Sequence, residues 1–136
     1  MNRTLLEKYK KQLQLILKND QHIIFAYLFG SSATGTVTPM SDVDVAVYFN
    51  PHTDIKREKF DLIGTLIEIL KTDAIDLVIL NTAPLTLTAR VIQNKEILVD
   101  KSPFKRHAFE SLVLRQYYDF SLKENNMFER RFSLAR

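Results

Sequence analysis

Two aspartates one residue apart, Asp42 and Asp44, sit in the segment SDVDVAVYF. Alternating β-branched residues make a strand, and in a strand residues two apart leave the same face. Strands disfavour aspartate, and a buried, unpaired carboxylate costs several kcal/mol. Two such groups side by side need positive charge between them. Hard oxygen donors on one rigid strand suit Mg²⁺, which commonly takes one or two protein carboxylates and leaves its other positions to water and phosphate. A third carboxylate, Asp76, stands alone in the apolar run AIDLVIL, and a Gly30-Ser31-Ser32 turn follows the apolar run 23–29. Glycine followed by serines offers backbone N–H groups and hydroxyls to an anion.

The elements that would position these groups are legible. Leu5, Leu6, Tyr9, Leu13, Ile16 and Leu17 predict an amphipathic helix over 5–17. Residues 23–29 read as a buried strand, and SSATGTVTPMS as a loop. In the next strand Val43, Val45, Val47 and Phe49 point one way, and Asp42, Asp44, Ala46 and Tyr48 the other. A second helix follows Pro51, with Ile55, Leu62, Ile63, Leu66, Ile67 and Leu70 as its buried stripe. A third strand spans 75–80, Pro84 opens a helix over about 85–94, and a short extended piece covers 97–99. Pro103 introduces a last helix, about 104–123, with Phe104, Ala108, Leu112, Arg115, Tyr118 and Leu122 on one side, and the tail ENNMFERRFSLAR reads as partly loose.

A long helical connection makes strands two and three parallel, joined by a right-handed crossover. Asp42, Asp44 and Asp76 then begin their strands at the same edge. If strand one is antiparallel to strand two, Gly30 and Ser31 arrive there as well. Each motif alone has a bland reading, as a solvated edge, a loop or a strand start. Their joint occurrence predicts a phosphate cradle beside a three-carboxylate metal site.

Composition bounds the alternatives. A chain of 136 residues, 46% hydrophobic and 26% charged, has the length and make-up of one folded domain. The absence of cysteine excludes disulfides, thiolate metal sites and a cysteine nucleophile. Net charge is +3: residues 1–100 hold 11 basic and 12 acidic groups, residues 101–136 hold 8 and 4. With no basic run longer than a doublet such as Arg130-Arg131, a polymerase-like grip on nucleic acid is not expected. No run approaches the ~20 apolar residues of a membrane span, and MNRTLLEKYKKQLQ lacks the apolar centre of a secretory signal, so the expectation is a cytoplasmic chain without a membrane partner.

GSSATGTVTPMSDVDVAV followed by AIDLVIL resembles the nucleotidyltransferase superfamily related to DNA polymerase β. Ten residues separate Ser31 from Asp42, the GS-x10-DxD spacing of minimal (MNT) nucleotidyltransferases, and the chain looks most like the MntA-type antitoxins that accompany HEPN ribonuclease toxins. The motifs lie within residues 29–80, and FESLVLRQYYDF in the helical last third is similar in layout. The resemblance implies an α/β (α+β) nucleotidyltransferase fold: a small mixed sheet of three or more strands flanked by about four to five helices, in one domain, with a motif core over about 23–80 and a helical part over about 84–124. It implies transfer of AMP from ATP with two Mg²⁺ ions. Asp42 and Asp44 would bridge both metals, Asp76 would complete the nucleophile-side metal and help deprotonate the acceptor, and Gly30, Ser31 and Ser32 would hold the triphosphate. The implied acceptor is a tyrosine hydroxyl on a cognate HEPN toxin, in a hetero-oligomer, with a homodimer also open. The alternatives are an antitoxin that binds and occludes without catalysis, or NMP transfer to a small molecule such as an aminoglycoside.

Other residues stay open. His22, His52 and His107 are scattered and read as surface or packing residues. Arg90, Lys95 and Lys101 are candidates to meet the triphosphate, against a reading as solvated surface. Arg115, Tyr117, Tyr118 and Phe120 form either a partner-binding patch or the packed side of the last helix.

Overall fold

Six consecutive apolar residues, IIFAYL, form strand β1 (Ile23–Leu28), and all six are buried. Such a run, without alternation, belongs to a strand covered on both faces. The computed structural model describes residues 3–30 and 43–134. Around β1 it arranges β2 (Val43–Phe49), β3 (Ile75–Ile79) and β4 (Glu96–Asp100) in the order β3-β2-β1-β4. β1 is antiparallel to β2 and to β4, and β2 is parallel to β3. The described helices are α1 (Arg3–Asn19), α2 (Ile55–Leu70), α3 (Leu85–Gln93) and α4 (Pro103–Leu134).

Each face of the sheet has its own core. On one side Leu13 and Leu17 of α1 and Leu62, Leu66 and Leu70 of α2 pack on Val43, Val45, Val47, Phe49, Leu77 and Ile79. On the other, Ala89, Val91 and Ile92 of α3 and Val113 of α4 pack on Phe25, Tyr27 and Ala46, with Tyr48, Phe109 and Tyr117 at the margin. The alternation expected for β2 is therefore observed from Val43 onward. An aromatic stack at the margin of the second core, Phe25 on Tyr48 at 4.7 Å with Phe109 tilted against both, joins α4 to the sheet.

The crossover from β2 to β3 is built from local signals. Asp54 caps α2 by accepting from the Arg57 N–H at 3.4 Å. Lys71 ends the helix in the left-handed region, φ 54°, its N–H bonded to the Ile67 carbonyl. Four residues later the chain enters β3. The Val43 N–H donates to the Ala74 carbonyl at 2.9 Å, which ties the beginnings of β2 and β3 together. At the other end the Asn81 side chain accepts from the Phe49 N–H and donates to the Phe49 carbonyl, both at 2.9 Å.

Three expectations need correction. Ile67 is 40% exposed and does not belong to the buried stripe of α2. α4 does not end near residue 123; it runs to Leu134, because nothing after Pro103 breaks it and its last turns contain no glycine or proline. The stripe Phe104, Leu112, Tyr118 and Leu122 is the exposed side of α4, Phe104 at 82%, whereas Arg106, Phe109, Glu110, Val113 and Tyr117 face the protein. α4 lies against the sheet through a polar pair flanked by apolar residues, which a search for apolar periodicity passes over.

Leu66 is fully buried where α2 meets β2 and β3. Leu66→Ala should lower the stability by about 2–5 kcal/mol, read as a shift of the urea midpoint at unchanged slope.

Candidate active site

Parallel pairing sets β2 and β3 in register so that Asp44 is the direct partner of Asp76. Their side chains leave the same face, the one that carries Ala46 and Val78 two residues further on. Asp44 is half-buried and Asp76 exposed. β1 runs the other way and delivers Gly30 to the same edge, where the Phe29 N–H donates to the Asp44 carbonyl at 3.1 Å. Gly30 has φ +62°, and a Cβ there would lie 2.7 Å from Asp44 Oδ2. Glycine is thus required twice, for the positive φ and for the close approach of backbone to carboxylate.

Of the six residues expected at the site, the structure brings Gly30, Asp44 and Asp76 together. Ser31, Ser32 and Asp42 lie outside the described residues. Among the described residues no group of three or more His, Cys, Asp or Glu side chains forms a metal cluster. Asp44 and Asp76, two carboxylates in register on one face, are a donor pair of the kind a hard divalent cation takes, and Asp42 would be the third.

The three candidate cations separate. Lys101 lies beyond the far end of β4, its N–H on the Ile24 carbonyl and its ammonium on the Asp20 carbonyl at 2.6 Å, so it does not belong to this edge. Arg90 is exposed on the last turn of α3. Lys95 directly precedes Glu96, the partner of Leu28, and so stands at the aspartate edge. The patch Arg115, Tyr117, Tyr118 and Phe120 divides: Tyr117 packs against the aromatic core, while the other three are exposed.

Sequence reasoning missed a buried polar cluster behind the edge. Tyr27 of β1 is wholly buried, and its hydroxyl donates to Glu110 Oε1 at 2.6 Å. The same oxygen meets Lys95 Nζ at 2.9 Å and Arg106 Nη1 at 3.1 Å, while Arg106 Nε donates to Asp100 at 2.9 Å. Burial pushes the Tyr27 phenol up, and the neighbouring Glu110 carboxylate adds to it. Burial alone would raise Glu110 too, but hydrogen bonds from Tyr27, Lys95 and Arg106 outweigh it and hold the carboxyl below its ordinary range. Arg106 is discouraged from charge by burial and favoured more by its bonds to Asp100 and Glu110, which keep it firmly protonated. Two signals could have revealed the cluster: the Arg106–Glu110 spacing of one helical turn, and a tyrosine inside an otherwise apolar strand.

The polymerase beta nucleotidyltransferase family model matches residues 11–104, from α1 to the start of α4, and the chain belongs to that family. It is a nucleotidyltransferase, with the mixed sheet and flanking helices of that fold. Among solved structures it is similar to a chain of a toxin–antitoxin complex with AMP-PNP: TM-score 0.70, 25% identity, covering 90% of this chain and 96% of that one. It also resembles a chain of the MntA–HepT toxin–antitoxin, with TM-score 0.66, 21% identity and coverage of 91% and 97%. A third neighbour is the complex of a tri-AMPylated Shewanella oneidensis HEPN toxin with its MNT antitoxin, at TM-score 0.67, 21% identity and coverage of 92% and 97%. None of the curated proteins matches the chain in sequence.

Because Glu110 binds its proton less readily in the folded than in the unfolded chain, the stability it contributes is present above about pH 4.5 and fades as pH falls below it. Urea midpoints followed from pH 7 to pH 3 should drop in the wild type. Glu110→Gln should start lower at pH 7 and lose less on acidification.

Proposed function

We propose that the chain is an antitoxin that transfers AMP from ATP to a tyrosine hydroxyl of a cognate HEPN-type toxin and thereby silences it. One observation carries the chemistry: Asp44 faces Asp76 in register, with the Gly30 backbone against the Asp44 carboxylate. The solved neighbours supply the biological frame, since they are antitoxins held with toxins, one with AMP-PNP and one with an AMPylated HEPN partner.

In this reading Asp42, Asp44 and Asp76 hold Mg²⁺, and Gly30, Ser31 and Ser32 receive the triphosphate. Bound Mg²⁺ would offset the charge of the phosphates and of the entering and departing oxygens in an in-line displacement. The protein's part is placement. Asp44 and Asp76 come from two strands locked at both ends, so the spacing of their backbones is set by the sheet. Asp76, the more exposed of the two, is open to an incoming hydroxyl and accepts its proton as the oxygen bonds to the α-phosphorus and pyrophosphate leaves. AMP then stays on the acceptor as a bulky anion, which obstructs a ribonuclease site nearby.

The test uses labelled ATP, Mg²⁺, the purified chain and the HEPN partner. Label should appear on the partner, vanish with a chelator, and fall by at least about 100-fold in Asp44→Asn and Asp76→Asn. If Asp44→Asn still neutralises the toxin in cells and ATP makes no difference, the chain acts by occlusion and the catalytic reading is wrong.

A further inference from the structure

We infer that Lys95, aimed by Glu110, is the residue that binds the β- and γ-phosphates of the nucleotide and takes up the charge of the departing pyrophosphate; this rests on the nucleotidyltransfer reading of the same edge. Strand order carries the argument. Across the edge from β3 to β4 the chain presents Asp76, then Asp44, then the Gly30 backbone, then Lys95. The carboxylates mark where the α-phosphorus reacts and the glycine turn where the phosphate chain is cradled. The next position along the row is where the tail must go. A strand spacing of about 4.8 Å puts the Lys95 backbone about 10 Å from that of Asp44, on the far side of the cradle.

Lys95 also stands on the correct face. Its ammonium lies 5.6 Å from the Tyr27 ring centroid and 2.9 Å from Glu110 Oε1, both on the α3/α4 side of the sheet, where Asp44 and Ala46 point. The neighbouring Glu96 points the other way and pairs with Lys10 of α1. The approach of Lys95 to the edge is fixed by the end of α3, where the Asn94 N–H bonds the Val91 carbonyl at 3.2 Å and its side chain bonds the Arg90 carbonyl at 3.0 Å.

Glu110 is a positioning residue in this arrangement. Its Oε1 also accepts from Tyr27 and Arg106, so the carboxylate remains bonded when the ammonium turns toward a phosphate oxygen. In the transfer itself the acceptor oxygen–phosphorus bond forms and the bond from the α-phosphorus to the bridging oxygen breaks. That oxygen keeps the electron pair and leaves with pyrophosphate. A fixed cation at the growing charge favours the departure. No proton is exchanged with Lys95.

Equilibrium binding of ATP and of AMP, each with Mg²⁺, to the full chain provides the test, with urea unfolding alongside. Lys95→Met should weaken ATP binding by about 10- to 100-fold, the worth of a charge-assisted hydrogen bond or two, and leave AMP binding close to wild type, while loss of the bond to Glu110 lowers the urea midpoint modestly. Lys95→Arg should recover most of the loss. Unchanged ATP affinity in Lys95→Met overturns the inference. So does an equal loss for ATP and AMP, which would make Lys95 a structural brace. Should the wild-type chain bind neither nucleotide, the nucleotidyltransfer reading of the edge fails first and takes this inference with it.

Discussion

Two carboxylates face each other across one strand spacing, and much of the molecule serves to keep them there. Unit charges about 5 Å apart repel by roughly 1–3 kcal/mol between the dielectric of water and that of a protein surface, and like charges directly across a strand pair weaken it. β2 and β3 stay paired because the opposite face of both strands is an unbroken apolar surface under α2, and because backbone and Asn81 hydrogen bonds close the pair at its two ends. A divalent cation between the two groups would offset that repulsion.

The two faces of the sheet divide the work. The α1/α2 face is apolar, mostly leucine, isoleucine and valine with Phe49 among them, and it supplies stability without chemistry. The α3/α4 face is mixed: an aromatic stack at one end, the Tyr27–Glu110–Arg106 cluster in the middle, and Asp44 with Asp76 at the edge. Buried polar groups are tolerated there because nearly every one finds a partner of opposite charge, and Glu110 alone serves three donors. α4 is held to the sheet by this cluster together with Val113 and Phe109, while Phe104, Leu112, Tyr118 and Leu122 lie on its outward side.

The sequence by itself determined the parts that depend on short-range rules. Alternation in DVDVAVYF marked β2 and its two faces, the unbroken run 23–29 marked a strand covered on both sides, and Pro51 and Pro103 set the entries to α2 and α4. From these, with the right-handed crossover, the meeting of Gly30, Asp44 and Asp76 followed, since parallel strands share their starting edge. Only the tertiary structure decided which cations belong there. Lys95 and Lys101 lie six residues apart and look alike in sequence, yet they stand at opposite ends of β4. The tertiary structure alone also turned α4, because a helix whose contact face includes Arg106 and Glu110 cannot be oriented by hydrophobic periodicity. The physical reason is one of range: strand alternation and caps are set by neighbours along the chain, whereas the partner of a buried charge is chosen by residues tens of positions away, as Tyr27 and Glu110 are.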